Sequence, residues 1–125
     1  MADYLVTYDF KDGASKQWEE FVKCAEPEGL VYVYDLGENL ARLTNTTLWG
    51  VFENKEAVKS AFERAQSAAE KKLGRTITLE KRVITKMTDV FVRSDKKKKP
   101  DARWKKSTSF ETCRTHQKND PFFAY

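Results

Sequence analysis

Three groups of residues in this chain have the types and spacing to do chemistry. The first is Asp9, which ends the apolar stretch "YLVTYDF" (4–10) between Tyr8 and Phe10. A hard cation such as Mg²⁺ takes carboxylate and water oxygens and can be held by as few as two carboxylates. Bound there, Mg²⁺ or Mn²⁺ would activate water and neutralise a scissile phosphate. One Asp9 per chain supplies only part of such a site. Asp12, just past the stretch, and Asp35, at the end of a second apolar segment, are the carboxylates placed to approach it. Asp9 reads equally well as an acceptor for the turn that follows, or as a solvated residue on an open sheet face. All three readings stand at this level.

The second group is the basic run in "DKKKKPDARWKKSTS". Lys96, Lys97, Lys98, Lys99, Arg103, Lys105 and Lys106 surround Trp104, combining phosphate-neutralising charge with a ring on which a base can stack. The overall charge of +4 is confined to this end of the chain, because residues 1–94 are nearly balanced. The alternative is a solvated, disordered charge run. The terminal "NDPFFAY" is unlike a solubility tail, and Phe122, Phe123 and Tyr125 are expected to pack on the domain or on a protein partner.

The third group is Cys113 and His116 in "CRTH". A closed zinc site needs four ligands, and Cys24 is the only other sulfur donor. Neither a metal role nor a Cys–His nucleophile finds the further partners it needs. The single histidine likewise rules against Ser-His-Asp catalysis, and no cluster of glycines forms a phosphate loop. Two cysteines without framework spacing point to a reduced, cytoplasmic protein. No apolar run reaches membrane-spanning length, and the amino terminus enters a strand without the pattern of a signal peptide.

Elements to carry these groups follow from periodicity. Tyr4, Val6, Tyr8 and Phe10 alternate onto one face of a strand. "KDGAS" is a turn with Ser15 as helix cap, and Trp18, Phe21, Val22 and Ala25 fall at helical spacing before Pro27 and Gly29. Residues 30–36 and 46–52 read as strands, with "ARL" (41–43) extending the hairpin between them. Asn54 caps a helix whose stripe is Val58, Ala61, Phe62, Ala65, Ala69 and Leu73, and Gly74 stops it. Residues 76–87 read as a strand with a β-bulge near Lys81–Arg82, and 88–94 as one more short strand.

The expected architecture is α+β: a ferredoxin-like β-α-β-β-α-β sandwich over residues 1–94, with an extra strand, followed by a basic, aromatic-ended tail over 95–125. Apolar residues on more than one sheet face, among them Leu5, Tyr32, Tyr34, Leu48 and Val51, call for a partner, and a C2 homodimer through the sheet is the economical one.

The strand "YLVTYDF", the stretch "LTNTTLWGVFE", the helix start "NKEAVKSAFERA" and the trailing strand together resemble one superfamily. It contains the small CRISPR-adaptation subunit and virulence-associated protein D. Thr7, Tyr8, Asp9 and Phe10 match its first-strand pattern, and Asn45, Thr46, Thr47, Leu48 and Trp49 match its hairpin pattern. The resemblance implies a dimer packed sheet to sheet, with residues 88–94 pairing to the partner's sheet. It also implies a metal-dependent endoribonuclease in which Asp9 of each protomer is catalytic and binds Mg²⁺ or Mn²⁺. Other members bind nucleic acid without such activity. The competing expectation is a non-enzymatic interaction module, such as a toxin–antitoxin component, a phage or host regulator, or a subunit of a larger complex.

Overall fold

Strict alternation along residues 4–10 sets the first layer. A computed structural model describes residues 1–124 of the chain and places β1 (Ala2–Phe10) at the centre of an antiparallel sheet, between β4 (Thr47–Phe52) and β5 (Leu79–Lys86). Tyr4, Val6, Tyr8 and Phe10 are all buried on one face. Against that face pack α1 (Gln17–Ala25) and α2 (Lys55–Leu73). The Tyr8 ring meets Phe21 at 5.0 Å and Phe62 at 5.4 Å, both edge-on, as ring quadrupoles favour.

The second helix forms as its sequence dictates. The Asn54 side chain accepts the Ala57 N–H at 2.9 Å, and the apolar stripe from Val58 to Ala69 is buried. Gly74 ends it in the left-handed region at φ 66°, where a side chain would be strained. The first helix departs from expectation: its N-cap is Lys16, which makes no side-chain cap, and not Ser15. The buried Gln17 amide does the local work, donating to the Lys11 carbonyl at 2.8 Å.

The β5 register slips between Asp9 and Phe10, opposite Lys81 and Leu79, so the bulge falls at Glu80, beside its expected place. Residues 88–94 form no ladder. The β1–β5 register ends at Tyr4 and Lys86, and Met87 N–H makes the last bond to β1, at the Asp3 carbonyl.

Residues 30–36 do not run as one strand beside β4. Val31 makes a single bridge to Trp49, and the next ladder acceptor, the Val33 carbonyl, is taken by the Trp49 indole N–H. The chain instead turns away into a second antiparallel sheet of β2 (Val33–Asp35), β3 (Leu40–Arg42) and β6 (Lys97–Lys98). Gly50 permits the crossing: a Cβ there would lie 2.1 Å from the Gly29 carbonyl oxygen.

Residues beyond 94 do not form a free tail. β6 completes the second sheet, and α3 (Ser109–Asn119) packs on β2, with Cys113 and Phe123 in the hydrophobic core. Thr108 caps this helix through the Glu111 N–H at 3.1 Å. An apolar stripe of Phe110 and Cys113, joined by Phe123, supplies the burial that the surrounding charge conceals. Among the described residues the protein is thus α+β, with two three-stranded antiparallel sheets and three α-helices. No helix among them is long and apolar enough to cross a membrane.

Candidate nucleic-acid interface

Asp9 lies on the sheet face turned away from α1 and α2, and it is exposed. It shares that face with Leu5 and Thr7 and stands directly opposite Lys81 on β5, an opposite-charge cross-strand pair. Asp12 and Asp35 do not join it in a ligand cluster: among the described residues no three His, Cys, Asp or Glu side chains converge on a metal position. Asp35 is engaged elsewhere, accepting from Gly37 N–H and from the Ser109 hydroxyl.

The same face divides in two. Over β4 it is covered, since Trp49 is buried under Tyr34 at 5.1 Å and Phe110 at 5.4 Å. Over β1 and β5 it is open: Val83, which stands opposite Thr7, is 57% exposed. The adjoining segment carries Val90 and Phe91, the latter 93% exposed.

The basic run is held in place, and part of its charge is used in holding it. Lys96 Nζ donates to the Phe122 carbonyl at 3.2 Å and the Ala124 carbonyl at 3.4 Å. Lys98 pairs with Asp120, and Arg103 forks onto both oxygens of Asp101. The Arg103 side chain and amide hold the Asp101 carboxyl down at about 2. Trp104 is half-buried, its ring edge-on to His116 at 5.3 Å, with Arg103 4.7 Å over its face. Lys97, Lys99, Lys105 and Lys106 remain exposed and form no ion pair among the described residues. Strand alternation explains the split within the run, since Lys96 and Lys98 point toward Phe122 while Lys97 and Lys99 point away. Lysines along an edge strand also discourage pairing with other sheets.

The terminal aromatics partly pack back on the chain. Phe123 is fully buried, and Phe122 lies edge-on to it at 5.2 Å with one side in solvent. Tyr125 lies outside the described residues. His116 and Cys113 are both fully buried and face separate partners. Burial, with the Asp35 charge adding to it, pushes the Cys113 thiol up to about 12, which suits a core residue and not a nucleophile.

Two features have no signature in the sequence. A cleft of ≈ 580 Å³ is lined by Tyr8, Trp18, Tyr32, Arg42, Gln117 and Lys118 among others. Its Arg42 stacks 3.7 Å over Tyr32 and donates to the Phe123 carbonyl at 3.4 Å. These residues come from separate elements, so no local spacing announces them. The other feature is Arg114, which pairs with Glu26 and donates to the Glu26 carbonyl at 3.0 Å, clasping α3 to the turn after α1. Compared with protein-family models, with curated proteins and with solved structures, the chain finds no match.

Proposed function

We propose that this chain is a nucleic-acid-associated protein of the cytoplasm, built on a ferredoxin-like frame and acting as a homodimer. The observation that carries the reading is the set of four exposed lysines, Lys97, Lys99, Lys105 and Lys106, on a segment held in place by Lys96, Lys98 and Arg103. A held array of cations loses less conformational freedom on meeting a phosphate chain than a disordered tail would. The partly exposed Trp104 beside it supplies a ring for stacking.

Titrating a fluorescent single-stranded oligonucleotide at several salt concentrations tests this reading. Changing the four lysines to Gln is expected to flatten the salt dependence by roughly 0.7 in log K per log salt for each phosphate no longer neutralised. Equal slopes for variant and wild type would overturn the binding role and favour the interaction-module reading. The dimer reading rests on the open β1–β5 face and on Phe91. Light scattering should find a dimer in the wild type and a monomer in Val83→Asp/Phe91→Asp, and a monomeric wild type would remove it.

A second reading is supported by where Asp9 sits. It shares the open face with Val83, so face-to-face association brings the Asp9 carboxylates of two copies toward one interface. Such a pair would hold Mg²⁺ or Mn²⁺ and make the dimer an endoribonuclease. Cation-dependent cleavage of RNA that Asp9→Asn abolishes, with the dimer intact, is the expected result. Equal cleavage by both proteins, or none by either, would leave Asp9 without a catalytic role.

A further inference from the structure

His116 is fully buried, and both of its ring nitrogens are engaged. Nδ1 lies 2.7 Å from the Thr112 carbonyl oxygen, which can only accept, so Nδ1 carries the hydrogen. Nε2 accepts the Asp101 backbone N–H at 2.8 Å, so it carries none. These two partners fix the neutral ring in one tautomer. They also make one imidazole nitrogen a link between α3 and the segment bearing Lys99, Arg103, Trp104, Lys105 and Lys106. Asp101 caps the 3-10 turn Ala102–Trp104, so what holds Asp101 holds that turn.

We propose that His116 is a proton-operated pin for the basic segment, an inference whose functional consequence rests on the nucleic-acid reading above. A proton from solvent added at Nε2 sets two N–H groups against each other and breaks the Asp101 bond. The Nδ1–Thr112 bond keeps its donor and survives. The segment then keeps only the Thr112–Lys106 tie to α3 and is held less firmly, so binding to single-stranded nucleic acid weakens on acidification.

The groups facing the ring set the direction. Asp101 on the 3-10 turn and Asp120 at the end of α3 both favour an imidazolium. Each is already matched by a cation, Arg103 for Asp101 and Lys98 on β6 for Asp120. The cation on β3, Arg42, is stacked on Tyr32 and reaches the Phe123 carbonyl. On α3 itself Cys113 stays a neutral thiol. The second tie between α3 and the segment, Thr112 Oγ1 with the Lys106 backbone, does not titrate.

Amide hydrogen exchange on the full chain tests the pin, with wild type beside His116→Gln, whose side chain keeps an acceptor and does not titrate. Between pH ~7.5 and ~5.5, protection at Asp101 should fall about tenfold in the wild type after correction for intrinsic exchange. The β1–β4 ladder should keep its protection, and His116→Gln should show no change at Asp101. Constant wild-type protection at Asp101, an equal loss in the β1–β4 ladder, or the same loss in His116→Gln overturns the pin. If His116→Gln does not fold, the wild-type comparison of Asp101 with the ladder decides alone. Affinity for a fluorescent oligo(dT) at fixed salt is read in parallel. No binding at either pH would remove the nucleic-acid reading, whereas flat exchange removes the pin whatever the binding does.

Discussion

Lys98 and Asp120 form an ion pair that ties the edge strand β6 to the turn after α3. Asp120 is buried, and its carboxylate also accepts the Phe122 N–H at 3.0 Å. Burial works against its ionisation, but the Lys98 pair and the Phe122 amide outweigh it and hold the carboxyl below its ordinary range. Because the folded value is depressed, the stabilisation is present above the unfolded value near ~3.9 and is lost as pH falls through the folded one. Removing the cation by Lys98→Ala should cost about 1–3 kcal/mol at neutral pH, since Asp120 keeps its burial without its partner. Urea denaturation checks it, and a cost equal to that of Lys97→Ala would show that Lys98 is only another surface lysine.

Asp101 and Arg103 should be visible in a carboxyl titration. The Asp101 resonance is expected to move with a midpoint at about 2. Arg103→Ala should return that midpoint toward the ordinary aspartate range, because the guanidinium supplies the largest share of the depression. A midpoint unmoved by the substitution would mean that the fork seen in the structure does not persist in solution. The pair is exposed, so little change in global stability should accompany the shift.

Phe62 is fully buried and lies 4.7 Å from the Phe21 ring centre. It joins α2 to both α1 and the β1 face. Phe62→Ala should cost about 3–5 kcal/mol, the usual penalty for an aromatic cavity in a well-packed core. Trp18, on the same stripe of α1 as Phe21, is only partly buried at the rim of the cluster. Trp18→Ala should therefore cost clearly less, and the reverse order would contradict the packing described.

The thiols should be unreactive in the folded protein. Burial first, and the neighbouring Glu20 second, raise Cys24, while burial and Asp35 place Cys113 at about 12. Thiolate is the reactive species, so at pH ~8 an aromatic disulfide reagent should label Cys113 only as fast as the chain opens. Adding denaturant should release both thiols at once. Rapid labelling of Cys113 in native buffer would mean that α3 is not seated on β2.

The first sheet and its helices were legible because local chemistry and tertiary packing agree there. Asn54 and Gly74 mark the ends of α2, the alternation from Tyr4 to Phe10 marks the buried face of β1, and the break in β5 marks its bulge. The second sheet was not legible, for identifiable reasons. β6 is two lysines, whose identical residues hide any alternation and whose type carries no strand propensity. Its pairing with β3 joins residues far apart in sequence, and periodicity says nothing about such pairs. α3 was concealed because its buried stripe is short and includes a histidine and a cysteine among charges. At the candidate interface, the basic residues were visible one by one. Which of them are bound internally depends on Asp101, two residues from Arg103, and on Asp120, which only the fold brings to Lys98.

The seating of Lys97–Lys98 beside β3 also bears on how the chain is made. Synthesis runs from the amino end at about 5–20 residues per second, and elements fold as they emerge. β1, α1, β4, α2 and β5 can assemble on the ribosome as soon as they are free. β3 must wait with one edge unpaired until Lys98 follows, and Trp49 must wait for Phe110 with Tyr34 alone beside it. During that interval the nascent chain presents an open strand edge and a partly covered large ring together, the combination that invites aggregation. A chain cut short between residues 86 and 97 would keep the strands of the first sheet but lack what covers β3 and Trp49, so the delay between the emergence of β5 and that of β6 and α3 sets how long the protein is at risk.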